Sequence, residues 1–187
     1  MRSFQQAPLM SVPATRPGYP TGDLPLRLRP AKLEDLPFLR RVCDGFQREL
    51  LGESPMNGME IERFLSEQFM REHYYFISNL PLGDFLIVTY AGAEVGRLYL
   101  DRRPAAFHIA EFGVLPEARN SGIGSAVLRS VQRAAMAAGV GAVTLKVDEY
   151  NLRAVRLYHR HGFVSGPVRG TLLFMTWTAR APLQANS

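Results

Sequence analysis

At 187 residues, with 47% apolar and 21% charged residues, the chain is long enough to bury one substantial core and has the composition of a soluble globular protein. No run approaches the roughly 18 to 20 apolar residues of a membrane span, the opening residues lack the basic-then-apolar order of a secretory signal, and a single cysteine, Cys43, excludes an intrachain disulfide framework. The net charge of +5 comes mainly from arginines spread singly or in pairs, without the basic block or zinc-finger spacing that would point to nucleic acid.

Residues 1–22 are rich in Pro, Gln, Ser and Gly without periodicity and read as a flexible leader. "LPLRLRPA" sets Leu24, Leu26 and Leu28 against Arg27 and Arg29, the alternation of a half-buried strand. "KLEDLPFLRRVCDGFQRELLG" places Leu33, Leu36, Leu39, Val42, Phe46 and Leu50 at helical spacing and stops at Gly52, with Pro37 in the first turn, where a missing N–H is harmless. Cys43 in this helix reads as a core or half-buried thiol. A second helix covers "GMEIERFLSEQFMREHYYFISNL", with Ile61, Phe64, Leu65, Phe69 and Tyr75 as core positions. Glu49, Glu53, Glu60 and Glu62 gather where the two helices join. They form either a solvated face or a collar favouring a cationic amine.

After Pro81 the pattern becomes extended. "DFLIVTYAGAEVGRLYLDRR" reads as a hairpin turning at "YAGAEV", and "AAFHIAEFGVLP" as a strand. From Ile123 onward, Ala126, Val127, Val131, Ala134, Ala135 and Ala138 mark a helix with Arg129, Gln132 and Arg133 facing out, closed by Gly139 and Gly141. "AVTLKV" is a strand, "NLRAVRLYHRHGF" a helix from Asn151 with Gly162 past its end, and "GTLLFMTW" a closing strand. The order predicts one α/β domain with a mixed sheet over residues 23–178, followed by a tail at 179–187.

"VLPEARNSGIGSAVL", residues 114–128, puts two glycines and an arginine where that third helix must begin. Glycine weakens a helix interior, so the pair needs a reason. Backbone N–H groups at an uncovered helix start attract phosphate, and Arg119 with the N–H groups of Asn120, Ser121, Gly122, Ile123, Gly124 and Ser125 would supply donors. A tight turn without a ligand is the other reading. A dinucleotide fingerprint would need a third glycine where Val127 stands, and a P-loop would need Lys-Ser/Thr after Gly124.

Arg119-x-x-Gly122-x-Gly124, followed by Asn151-x-x-Ala154-x-x-Leu157-Tyr158-x-x-x-Gly162-Phe163, resembles the GCN5-related N-acetyltransferase (GNAT) family. "LRLRPAKLEDLPFL" is similar to that family's first strand and helix, and "GAEVGRLYLDRR" to its second hairpin. The resemblance implies a mixed, mostly antiparallel twisted sheet, flanked by about four helices and splayed between its fourth and fifth strands, "FHIAEFGV" and "AVTLKV". It implies acetyl-CoA as acetyl donor, with the pyrophosphate on the glycine loop and the pantetheine arm hydrogen-bonded to main chain at Phe112, Gly113 and Val114. It also implies direct transfer to an amine-bearing small molecule or peptide, Asn151 and Ala154 beside the pantetheine, and Tyr158 near the sulfur as general acid.

For the base, Glu111 is the carboxylate inside an otherwise apolar strand, where a charge is costly unless it faces water or a cavity. It reads as base, as substrate anchor, or as the structural partner of an arginine. His108 is the runner-up, its ordinary pKa of about 6.5 suiting proton transfer. Strand alternation puts it on the opposite face from Glu111 unless a bulge intervenes. His159 and His161 read as surface residues. No His/Cys/Asp spacing argues for a metal. The expected setting is cytoplasmic, with no membrane or nucleic-acid partner. Exposed strand edges leave room for a homodimer, and the competing class is a non-catalytic acyl-CoA-binding sensor on the same fold.

Overall fold

Strand pairing in the computed structural model, which describes residues 19, 25–52 and 55–179, builds one seven-stranded sheet. Its order is β1-β2-β3-β4-β5-β7-β6, with β1 Leu26–Pro30, β2 Asp84–Tyr90, β3 Ala93–Arg102, β4 Phe107–Val114, β5 Ala142–Asp148, β6 Val164–Arg169 and β7 Leu172–Thr178. Four helices flank it: α1 Leu36–Leu51, α2 Gly58–Asn79, α3 Ile123–Ala137 and α4 Leu152–Arg160. Apart from Tyr19, the leader read at 1–22 lies outside the described residues, as do Leu24, the side chain of Leu50, Glu53, and the tail from residue 180. Among the described residues no helix is long and apolar enough to cross a membrane.

Local chemistry explains most boundaries. α1 is preceded by a 3-10 turn at Leu33–Asp35, so Leu33 is exposed rather than helical and buried. Asp35, buried there, takes two 2.7 Å hydrogen bonds from the Arg29 guanidinium of β1. At α2, Asn57 caps the helix by accepting from the N–H groups of Met59 and Glu60, and Glu60 reaches back to the Asn57 N–H at 2.8 Å. The β2–β3 hairpin turns on Ala91 and Gly92, both at positive φ (48° and 86°), the geometry that matches strand twist in a two-residue loop. Gly162, at φ 78°, follows α4 as its spacing predicts.

The sheet separates two apolar layers. On one face Val127, Leu128, Val131 and Ala135 of α3 meet Leu98, Leu100, Phe107, Ile109, Val143 and Leu145. On the other, Leu39 and Cys43 of α1 and Phe69 of α2 meet Ile87 and Tyr99. Burial pushes the Cys43 thiol up to about 12. It is a core thiol.

Five readings need correction. "VSGPVR" forms β6, which the sequence pattern did not reveal. Every residue of it is exposed, and its register against β7 shifts between Ser165 and Val168, around Pro167. It is the sheet edge, where proline is tolerated and no apolar face is required. Gln132 faces inward, not out, because its Nε2 donates to the His161 carbonyl at 2.8 Å. Tyr75, expected in the core, is 61% exposed, and Phe46 is 42% exposed. Ala138 is exposed where α3 ends.

Two irregularities in β4 position the site. β4 and β5 pair in parallel only through Phe107↔Val143, His108↔Thr144 and Ile109↔Leu145. Beyond Ile109 the strands part, and the sheet opens. Against β3, Tyr99 pairs with Glu111 but Leu100 with Ile109, so Ala110 is an extra, bulged residue.

Candidate active site

The opening between β4 and β5 belongs to a cavity of about 1070 Å³, walled by α1, α2, the start of α3, and α4. It runs from the glycine loop to the exposed aromatic rings of Phe46 and Tyr75.

At the loop, the chain leaves β4 through a 3-10 turn at Pro116–Ala118. It passes Asn120 at φ 61° and Gly122 at φ 81°, then enters α3. The two glycines serve different ends. At Gly122 a Cβ would meet nothing within 4 Å, so the requirement is the left-handed backbone. At Gly124 a Cβ would lie 3.0 Å from Leu157 Cδ2, so the requirement is close approach of α3 to α4. Among the described residues no side chain caps α3, so its first N–H groups, which have no intrahelical acceptor, are left open. Ser121 Oγ donates to the Ala118 carbonyl at 2.6 Å, and Asn120 Oδ1 accepts from Arg153 at 3.0 Å.

Arg119 lines the cavity, but its contacts are structural: Nε donates to the Val114 carbonyl at 3.0 Å and Nη1 pairs with Glu49. It fastens the end of β4 to α1. Arg153, Arg156 and Arg160, on one side of α4, also line the cavity. None has a carboxylate within ion-pair distance among the described residues. Sequence reading missed this trio, although the i, i+3, i+7 spacing was a usable signal.

Phe112, Gly113 and Val114 line the open edge of β4. A Cβ on Gly96 of β3 would fall 2.3 Å from the Gly113 carbonyl oxygen, so the two strands approach closely where this edge is formed. Asn151 and Ala154 also line the cavity, and Asn151 caps α4 by accepting from the Ala154 N–H at 3.1 Å.

Tyr158 projects from α4 to the cavity wall, its ring edge-on to Phe163 at 5.6 Å. Burial, and then the negative Glu111, push its phenol well above the usual tyrosine value. The hydroxyl therefore keeps its proton at neutral pH.

Glu111 and His108 both line the cavity. Simple alternation would oppose them, but the extra residue at Ala110 restores a common face. Glu111 accepts from Arg97 Nη2 at 3.2 Å, and Arg97 lies 3.4 Å from Glu72 of α2. Arg97 is only 3% exposed, and its Nε has no partner among the described residues. Arg97 was not singled out from the sequence, although it is the same anomaly as Glu111, a charge inside an apolar strand. His108 Nδ1 lies 3.0 Å from Thr144 Oγ1 of β5. Burial, and then Arg103 and Lys146, lower its pKa against the opposing pull of Asp101. His159 and His161 do not line the cavity; His159 binds the Phe163 carbonyl through Nδ1 at 3.0 Å. Among the described residues no group of three or more His, Cys, Asp or Glu could hold a metal ion.

Residues 49–163, more than half of the chain, match the acetyltransferase (GNAT) family model. An IAA acetyltransferase of Azospirillum brasilense is 29% identical over 115 residues, which span 58% of this chain and 75% of that relative. Among solved structures, PaiA N-acetyltransferase from Thermoplasma acidophilum in complex with coenzyme A superposes with a TM-score of 0.65 at 19% identity, covering 82% of this chain and 98% of that one. Spermidine N-acetyltransferase from Vibrio cholerae in complex with CoA and spermine gives 0.57 at 18%, covering 82% and 95%. At these identities the solved structures speak for the fold. With the splayed sheet, the glycine loop and the family match in hand, the chain belongs to the acetyltransferase (GNAT) family and is an acyltransferase whose acetyl donor is acetyl-CoA.

Proposed function

We propose that this protein transfers the acetyl group directly from acetyl-CoA to a primary amine of a small molecule or peptide, with residues 23–178 as the catalytic unit. The observation that carries the reading is the continuity of one cavity from the uncapped start of α3, past the unpaired edge of β4, to the carboxylate of Glu111. The pyrophosphate sits on the N–H groups from Asn120 to Ser125, and the pantetheine arm lies along Phe112, Gly113 and Val114, flanked by Asn151 and Ala154. Arg119 holds this loop in place from β4 and α1 and adds positive charge to it.

The amine nitrogen attacks the thioester carbonyl carbon, the C–S bond breaks, the thiolate takes the proton of Tyr158, and the proton shed by the newly acylated nitrogen returns the tyrosinate to its phenol. A phenol whose pKa is raised by burial holds its proton at neutral pH and so has one to give, and proton transfer by a positioned side chain contributes about 10²- to 10⁴-fold in rate. Main-chain N–H groups at the β4 edge polarise the carbonyl as its oxygen gains charge. Glu111 faces the incoming ammonium from the acceptor side. A cytoplasmic setting is part of the reading, supported by a lone, buried thiol and no disulfide.

The test is thiol release from acetyl-CoA against polyamines, amino acids, aminoglycosides and short peptides, with an amine-free control. Release that depends on one class of amine is expected and identifies the acceptor. Acetyl-CoA bound in calorimetry with no amine-dependent release would instead favour an acyl-CoA-binding sensor.

A further inference from the structure

His108 and Thr144 face each other across the last paired stretch of β4 and β5, where the sheet begins to open. The Thr144 hydroxyl has one proton, and the Phe107 carbonyl, which can only accept, lies within hydrogen-bond reach of it at 3.3 Å. The same oxygen lies 3.0 Å from His108 Nδ1. Both contacts are made at once only when Thr144 donates to Phe107 and accepts from His108, which places the imidazole proton on Nδ1. Nε2 is then left with its lone pair. The Ala110 bulge turns His108 to the same face as Glu111, and both line the cavity.

We infer that His108 is the group that takes the proton from the acceptor ammonium at Nε2, and that Thr144 is the positioning residue that fixes the tautomer making this possible. The inference rests on the amine-acetylation reading above. The step is balanced: the ammonium N–H bond breaks, its electron pair stays on nitrogen for attack, and the proton joins Nε2 to give an imidazolium. That imidazolium keeps both N–H groups, one donating to Thr144, and releases its proton to water through the open cavity. Arg103 and Lys146 oppose the positive charge and Asp101 favours it, so the ring returns to the neutral form after each transfer. Glu111, held by Arg97, stays as the anchor of the ammonium.

Nitrogen-15 NMR of the imidazole in the free protein reads the tautomer, and thiol release with the fastest amine of the panel reads its consequence. In the wild type at neutral pH, Nδ1 is expected protonated and Nε2 bare. Thr144→Val should lose that preference, lower kcat with the KM for acetyl-CoA unchanged, and displace the acidic limb of the pH profile. Thr144→Ser, which keeps the hydroxyl, should restore all three, whereas a purely packing role would favour the valine. His108→Ala should lose about 10²- to 10⁴-fold in kcat and erase that limb, while still binding acetyl-CoA. A proton on Nε2 in the wild type, or an unchanged rate and pH profile in both Thr144→Val and His108→Ala, would overturn the inference and leave the acetyltransferase reading standing. Wild-type silence across the panel would overturn both.

Discussion

The two sides of the opening between β4 and β5 handle charge in opposite ways. On the α4 side, Arg153, Arg156 and Arg160 are exposed and have no carboxylate partner among the described residues. On the α1 and α2 side, Arg97 is buried between Glu72 and Glu111. Solvated cations can wait unpaired at little cost, because the ligand brings its own anions. A cation inside the sheet cannot, since an uncompensated buried charge is severely destabilising. On the proposed reading, the cofactor side is therefore completed by what binds, and the acceptor side is assembled on folding.

The strongest way to break this division is at Gly122. Gly122→Glu puts a carboxylate and a strained left-handed residue where the proposed reading seats the pyrophosphate, and calorimetry should show no acetyl-CoA binding. Gly122→Ala separates the two effects. With nothing within 4 Å of its Cβ, it suffers only the backbone strain of about 1–2 kcal/mol, and weakened but measurable binding is expected. Equal affinity of Gly122→Glu and wild type would remove the loop from the cofactor site. Next in size is Tyr158→Phe, which should bind acetyl-CoA normally and turn over about 10²- to 10⁴-fold more slowly. An unchanged kcat at every pH would leave Tyr158 as packing against Phe163.

Arg97→Met tests the other side. It leaves two part-exposed carboxylates facing one another, so the loss falls below the about 3–5 kcal/mol of a fully buried broken pair. Thermal unfolding should show a clear fall in Tm. Adding Glu111→Gln removes one of the stranded charges and should recover part of the loss. The contrast between the two sides fails if Arg97→Met is no more destabilising than an exposed arginine substitution.

The same asymmetry decided what could be read from the sequence. The glycine loop, the Asn151 cap and the Tyr158 helix are local: residues within one turn set their backbone, so their spacing carries the information. The Arg97–Glu111 pair is not local. It depends on which residue of β3 lies beside which residue of β4, and the Ala110 bulge alters that register without any glycine or proline to announce it. Alternation alone would have kept His108 and Glu111 apart. Phe46 and Tyr75 misled for a related reason, because an aromatic residue on a helix has the same spacing whether it enters the core or lines a cavity. β6 escaped because an edge strand exposed on both faces needs no apolar pattern.

The smallest expected effect belongs to Arg156→Gln. An exposed arginine contributes roughly 0.2–1 kcal/mol to an ion pair, so the KM for acetyl-CoA should rise only a few-fold, with kcat and Tm unchanged. Salt makes the measurement decisive. Exposed charges are screened within a Debye length of about 8–10 Å at physiological ionic strength, so the wild-type KM should climb as salt is added. Arg156→Gln, and more so its combination with Arg153→Gln, should flatten that climb until variant and wild type converge at high salt. Buried Arg97 offers no such handle, because its own guanidinium is sheltered from ions and its partners are carboxylates of the protein. A wild-type KM that ignores salt would mean that the α4 arginines never meet the anionic cofactor, and the free cations would be ordinary surface charge.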